Sequence, residues 1–192
     1  VPLPVPPSQP QLPASLAADA ALWLDATAID PETPEQVASA TGKLILWPDR
    51  SPHARHAANP DATTQPALVE NALRSHPMVR FGSDAFLAVG DIRQEAGPVT
   101  TFVVSQSDSS EGDGFQRIVT GYTGSGNNWE APNYLVSHPH LENQTPRPYP
   151  AEITTQSDTD RALQNLLLGV QDSSDGNIND FHGDIGELLI FP

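Results

Sequence analysis

Val99-Thr100-Thr101-Phe102-Val103-Val104 is a run in which every residue is β-branched or aromatic. Such side chains lose rotamer freedom against a helical turn and pack well on a pleated surface. The run therefore reads as a buried central strand. Working outward, the neighbouring apolar runs have the same short length and are bounded by turn residues. Met78 to Phe81 and Ala85 to Val89 flank Gly82-Ser83-Asp84, a hairpin signature. Upstream lie Ala21-Leu22-Trp23-Leu24 and Leu44-Ile45-Leu46-Trp47, the second stopping at Pro48-Asp49. Downstream come Phe115 to Tyr122, Tyr134 to Val136, Leu166 to Val170 and Ile185 to Phe191. About nine strands at this spacing predict an all-β fold, a two-sheet antiparallel β-sandwich. Helix signals are sparse. Pro34 to Ala40 suits a turn or two of helix, and Pro66 to Leu73 fits either helix or strand.

At 192 residues the chain fits one domain and a tail. Twenty prolines and 13 glycines interrupt regular structure too often for long helices. No apolar run approaches the roughly 18 residues of a membrane-spanning helix, so membrane insertion is not expected. Net charge is −15, and Lys43 is the single lysine. Phosphate backbones would repel such a chain, which argues against nucleic acid as a partner. Without cysteine there are no disulfides, thiolate metal sites or cysteine nucleophiles. Residues 1–13, VPLPVPPSQPQLP, read as a proline-rich, semi-rigid linker, with the sandwich domain spanning 14–192. The chain starts without a signal segment and looks like a processed or excised piece of a longer polypeptide.

The order of these features resembles the laminin-G-like, concanavalin A-like jelly-roll domains of bacterial extracellular proteins. The similar segments are Ala21 to Ala26, Trp47 to Ser51, Gln65 to Val69, Pro77 to Gly82, Thr101 to Val104 and the closing Phe181 to Phe191. This resemblance implies a jelly roll and a secreted or cell-surface location. Two departures stand out: the chain stops at Pro192, where the family continues into a short acidic helix, and Asn127 to Asp160 is too loop-rich to hold the family's middle strands as read here.

Glycoside hydrolases of the same architecture carry Glu-x-Asp-Ile-x-Glu on one strand, and a retaining mechanism needs two carboxyl groups about 5 Å apart. The corresponding residues are His182-Gly183-Asp184-Ile185-Gly186-Glu187, with histidine where the nucleophile would be. Asp184 and Glu187 are then structural acids bracing the last strand, and no catalytic residue is assigned. Trp129 is of another kind, set in the polar stretch Gly124 to Glu130 with Asn127 and Asn128 beside it and Tyr122 and Tyr134 close by. An aromatic ring with planar amides suits the apolar CH face and hydroxyls of a sugar. Trp23 and Trp47, inside apolar runs, are expected in the core. Asp172, Asp175, Asn177, Asn179 and Asp180 offer hard oxygen ligands for calcium, although such residues are also ordinary turn formers. His53/His56 and His138/His140 have chelating spacings with no third ligand indicated and read as surface histidines.

The expected function is that of a non-catalytic extracellular recognition module, binding a polysaccharide or glycan. Two other readings remain: a structural or adhesive domain contacting neighbouring protein domains, and, less favoured, a glycosidase or lyase.

Overall fold

The structure, a computed structural model, describes residues 12–93, 97–107, 117–121, 163–170 and 180–192 in full. For 134–137 and 152–158 it describes the backbone. The chain forms an all-β sandwich of two curled antiparallel sheets, compatible with a jelly roll.

The larger sheet is ordered β12 (Glu152–Asp158), β9 (Val99–Ser107), β14 (Gly183–Phe191), β7 (His76–Phe81), β6 (Ala67–Leu73), β3 (Lys43–Leu44) and β2 (Val37–Ala38). β1 (Leu22–Asp25) also pairs with β14. The smaller sheet runs β11 (Tyr134–Ser137), β10 (Arg117–Thr120), β13 (Leu166–Leu168), β8 (Leu87–Gly90), β5 (Ala57–Ala58) and β4 (Leu46–Trp47). The core lies between the sheets, where Leu22, Leu24, Val79, Phe81, Val103, Ile185, Leu188 and Ile190 meet Trp47, Leu87, Ile118, Leu166 and Leu168. Burying each of the larger side chains contributes about 1.5–3 kcal/mol.

β9 is an interior strand of its sheet, as its composition predicts, and alternates buried and half-buried residues along its whole length. The 44–47 run does not form one strand. It switches sheets at Ile45, so Leu44 joins the larger sheet and Trp47 the smaller. The turn at Gly82–Asp84 likewise does not close a hairpin. β7 and β8 belong to opposite sheets, and the segment crosses the sandwich between them. The hairpin is one step earlier, between β6 and β7, where Arg74 and Ser75 both take positive φ (47° and 71°) at the turn. Residues 66–73 thus resolve as strand. The 34–40 segment makes turns around Thr33 and the short β2 instead of a helix. The described helices are α1, Ala14–Asp19, and a single 3₁₀ turn at Ala26–Ala28.

β14 changes neighbours halfway. Gly183 to Ile185 pair with β7, and Glu187 to Ile190 pair with β1, while β9 lines the other edge throughout. The register shifts between Ile185 and Glu187, a bulge centred on Gly186. Ile185 and Leu188 both face the core across this extra residue. The outer face of β14 then carries Glu187, Leu189 and Phe191 in succession.

Candidate functional site

On the outer face of the larger sheet, β9 and β14 present three cross-strand pairs: Val104 with Glu187, Phe102 with Leu189, and Thr100 with Phe191. Side chains of alternate residues share a face, so these six form one continuous floor. α1 and the residue pair before it wall the floor through Leu12 and Leu16, and together they enclose a hollow of about 550 Å³. Phe102 and Phe191 meet edge to face, with ring centroids 6.0 Å apart. Leu16 is 45% exposed at the rim.

Trp23 stands beside this floor, opposite Leu189 in the strand register. It is buried, as expected, but on the sheet's outer face, packed with Ala20 and Leu189 and not with the main core. Leu22 and Leu24 on either side of it point inward, so strand alternation sends the indole out. Trp47 is fully buried in the main core. The guanidinium of Arg50 stacks 4.1 Å over the Trp23 ring and bonds the carboxylate of Asp25. Trp23 Nε1 donates to Glu187 Oε1 at 2.9 Å. Glu187 stands directly opposite Asp25 in the strand register.

Desolvation holds the Glu187 carboxyl above its ordinary range, opposed by the Trp23 hydrogen bond, with Asp25 pushing further up and Arg50 down. Asp180 is raised too, first by desolvation: Oδ2 accepts from Asp84 N at 2.8 Å, and Oδ1 is buried without a hydrogen-bond partner among the described residues. A carboxyl raised in the folded state releases its proton first from the unfolded chain. Between the two pKa values the unfolded chain binds fewer protons, so the stability that protonation gives is full below the ordinary value and is lost as pH rises. In urea unfolding followed from about pH 4 upward, Glu187→Gln is therefore expected to gain stability relative to the wild-type chain as pH rises, with Asp180→Asn adding in the same sense. A difference that stays flat with pH would refute the assignment.

Asp184, the other acid of the closing strand, is gripped in a bidentate pair by Arg80 of the adjacent β7 at 2.7 and 2.8 Å. Both acids of this strand are therefore engaged by neighbours, as expected of bracing residues. His56 Nδ1 accepts from Asp49 N at 3.0 Å. Tyr122, Asn127, Asn128 and Trp129 lie outside the described residues, as do Asp172, Asp175, Asn177 and Asn179. The backbone of Tyr134 begins β11. Asp180 is the described member of the calcium set, and no cluster of three or more metal-ligating side chains occurs among the described residues. Among those residues no helix is long and apolar enough to cross a membrane.

The sequence signal for the hollow lies in the closing strand β14. Leu188-Leu189-Ile190-Phe191 does not alternate with polar residues, and that is the signal of a strand covered on both sides. No family model matches the chain, and neither the curated proteins nor the solved structures contain a significant match to it.

Proposed function

We propose that the chain is a non-catalytic recognition module of an extracellular polypeptide, with a glycan as its ligand and a concanavalin A-like jelly roll as its scaffold. The observation that supports this reading is the pairing of the strands that flank residues 121–133 in the sequence. These residues join β10 to β11, the outermost pair of the smaller sheet, and Thr120 stands opposite Tyr134 where the segment begins and ends. Trp129, Asn127 and Asn128 thus belong to the connection between edge strand β11 and its neighbour β10. Binding residues concentrate on such connections because a rigid sheet positions them without burying their backbone. The engagement of Asp184 by Arg80 and of Glu187 by Trp23 supports binding over acid–base hydrolysis at the closing strand.

Affinity electrophoresis through gels holding a panel of plant, algal and bacterial polysaccharides tests this. The wild-type chain is expected to be retarded by at least one. Trp129→Ala is expected to weaken that binding by about tenfold or more, since base-plane and sugar-plane stacking on an aromatic is worth on the order of 1–3 kcal/mol. Free migration in every gel, or equal retardation of the variant, overturns the reading.

A further inference from the structure

We propose that the hollow between α1 and the outer face of β9 and β14 is a binding site for a small amphiphilic amine, an ammonium group joined to an apolar tail. This site is separate from the 121–133 segment and does not depend on the glycan reading.

Its size is that of a small-molecule pocket, about 300–1,000 Å³. Its polarity is graded along one axis. Glu187 supplies the ionisable group at one end, and the floor then runs over Phe102 and Leu189 to Phe191 at the other, where the Thr100 hydroxyl adds a polar atom but no charge. Four steps of strand from Glu187 to Phe191, at roughly 3.4 Å each, make that floor about 14 Å long. A ligand with a single polar head and an extended apolar tail matches this layout. A sugar would leave most of its hydroxyls facing Phe, Leu and Val side chains without partners.

The sign of the head group follows from the charges around it. Arg50 is bound to Asp25, so these two cancel locally. Glu187 is left as the unmatched charge, and among the described residues its Oε1 accepts the Trp23 indole while Oε2 receives no donor. A half-buried carboxylate with a free oxygen attracts an ammonium donor, and the chain's net charge of −15 favours approach of a cation.

Isothermal titration with n-decylamine, n-decanol and decanoate, each kept below its micellar concentration, tests the proposal. Decylammonium is expected to bind about tenfold tighter than decanol, one order for one partly desolvated charge pair, and decanoate least. Glu187→Gln should bring the amine down to the level of the alcohol and leave the alcohol unchanged. Leu16→Asp, at the exposed rim, should weaken amine and alcohol alike. That variant adds negative charge, so non-specific attraction of a cation to an acidic surface would make the amine bind more tightly instead. Absence of amine binding to the wild-type chain, an undiminished amine preference in Glu187→Gln, or unchanged or tighter amine binding in Leu16→Asp overturns the proposal.

Discussion

Gly169→Ala is expected to destabilise the sandwich by about 2–5 kcal/mol, the sum of a left-handed backbone penalty and an overpacking penalty. Gly169 follows β13 with φ +85°, a region that costs an L-residue roughly 1–2 kcal/mol. A Cβ there would lie 2.1 Å from Phe81 Cδ1 and 2.8 Å from Ala85 O. Phe81 cannot withdraw: it is buried in the main core with its ring tilted against Phe181 at 6.4 Å. The glycine backbone is also fixed, since its N–H donates to Ile118 O at 3.0 Å and its carbonyl accepts from Phe181 N at 2.8 Å. Gly42 provides the control. Its φ is +67°, yet nothing approaches its would-be Cβ within 4 Å. Gly42→Ala should therefore show the backbone penalty alone. Urea unfolding of the two variants separates the contributions, and equal losses would mean that the packing around Phe81 is not as described.

The sandwich was legible in the sequence because short β-branched and aromatic runs between turn residues have few alternatives. What escaped was the partition of strands between sheets. Gly82-Ser83-Asp84 has hairpin chemistry, but turn residues specify a reversal of the chain and not which strand receives it. Here Phe81 and Leu87 both enter the core from opposite sheets, and that burial decides the crossing. The break at Ile45 has the same origin. Four consecutive apolar residues are consistent with one buried strand, and only the two-layer arrangement requires Leu44 and Trp47 to part. β12 was hidden because Ile153 is the one large apolar residue in a segment of Glu, Thr, Gln, Ser and Asp, and its strand state follows from seven-residue pairing along β9. Trp23 is buried, as expected, but on the outer face of its sheet and apart from the main core. An apolar run of four does not reveal that a short helix and an arginine cover its far side.

The second large effect is expected at Asp49, within the Trp47-Pro48-Asp49-Arg50-Ser51 segment. Its buried carboxylate accepts four hydrogen bonds: Oδ1 from Trp23 N and Ser51 N, both at 2.9 Å, and Oδ2 from Ser51 Oγ and Arg55 N, both at 2.7 Å. Three of these donors are backbone amides, so no rotamer change can redirect them. Asp49→Ala strands them at once, and at about 1–3 kcal/mol for each buried donor that water cannot reach, a loss of about 3–5 kcal/mol is expected. Asp49→Asn keeps one oxygen but turns an NH₂ toward either the Oδ1 or the Oδ2 donors, so it should recover only part of the loss. The effect reaches the outer face of the sheet because Asp49 ties the 49–55 loop to β1, and Arg50 N donates back to Trp23 O at 2.8 Å. With that tie gone, the Arg50 guanidinium no longer stands over Trp23 or against Asp25, and the indole loses its cover from solvent. Urea unfolding followed by circular dichroism reads the stability change. Quenching of tryptophan emission by acrylamide in the folded baseline reads the exposure of Trp23. A stability change below about 1 kcal/mol would put Asp49 among ordinary surface turn residues, where substitutions cost little.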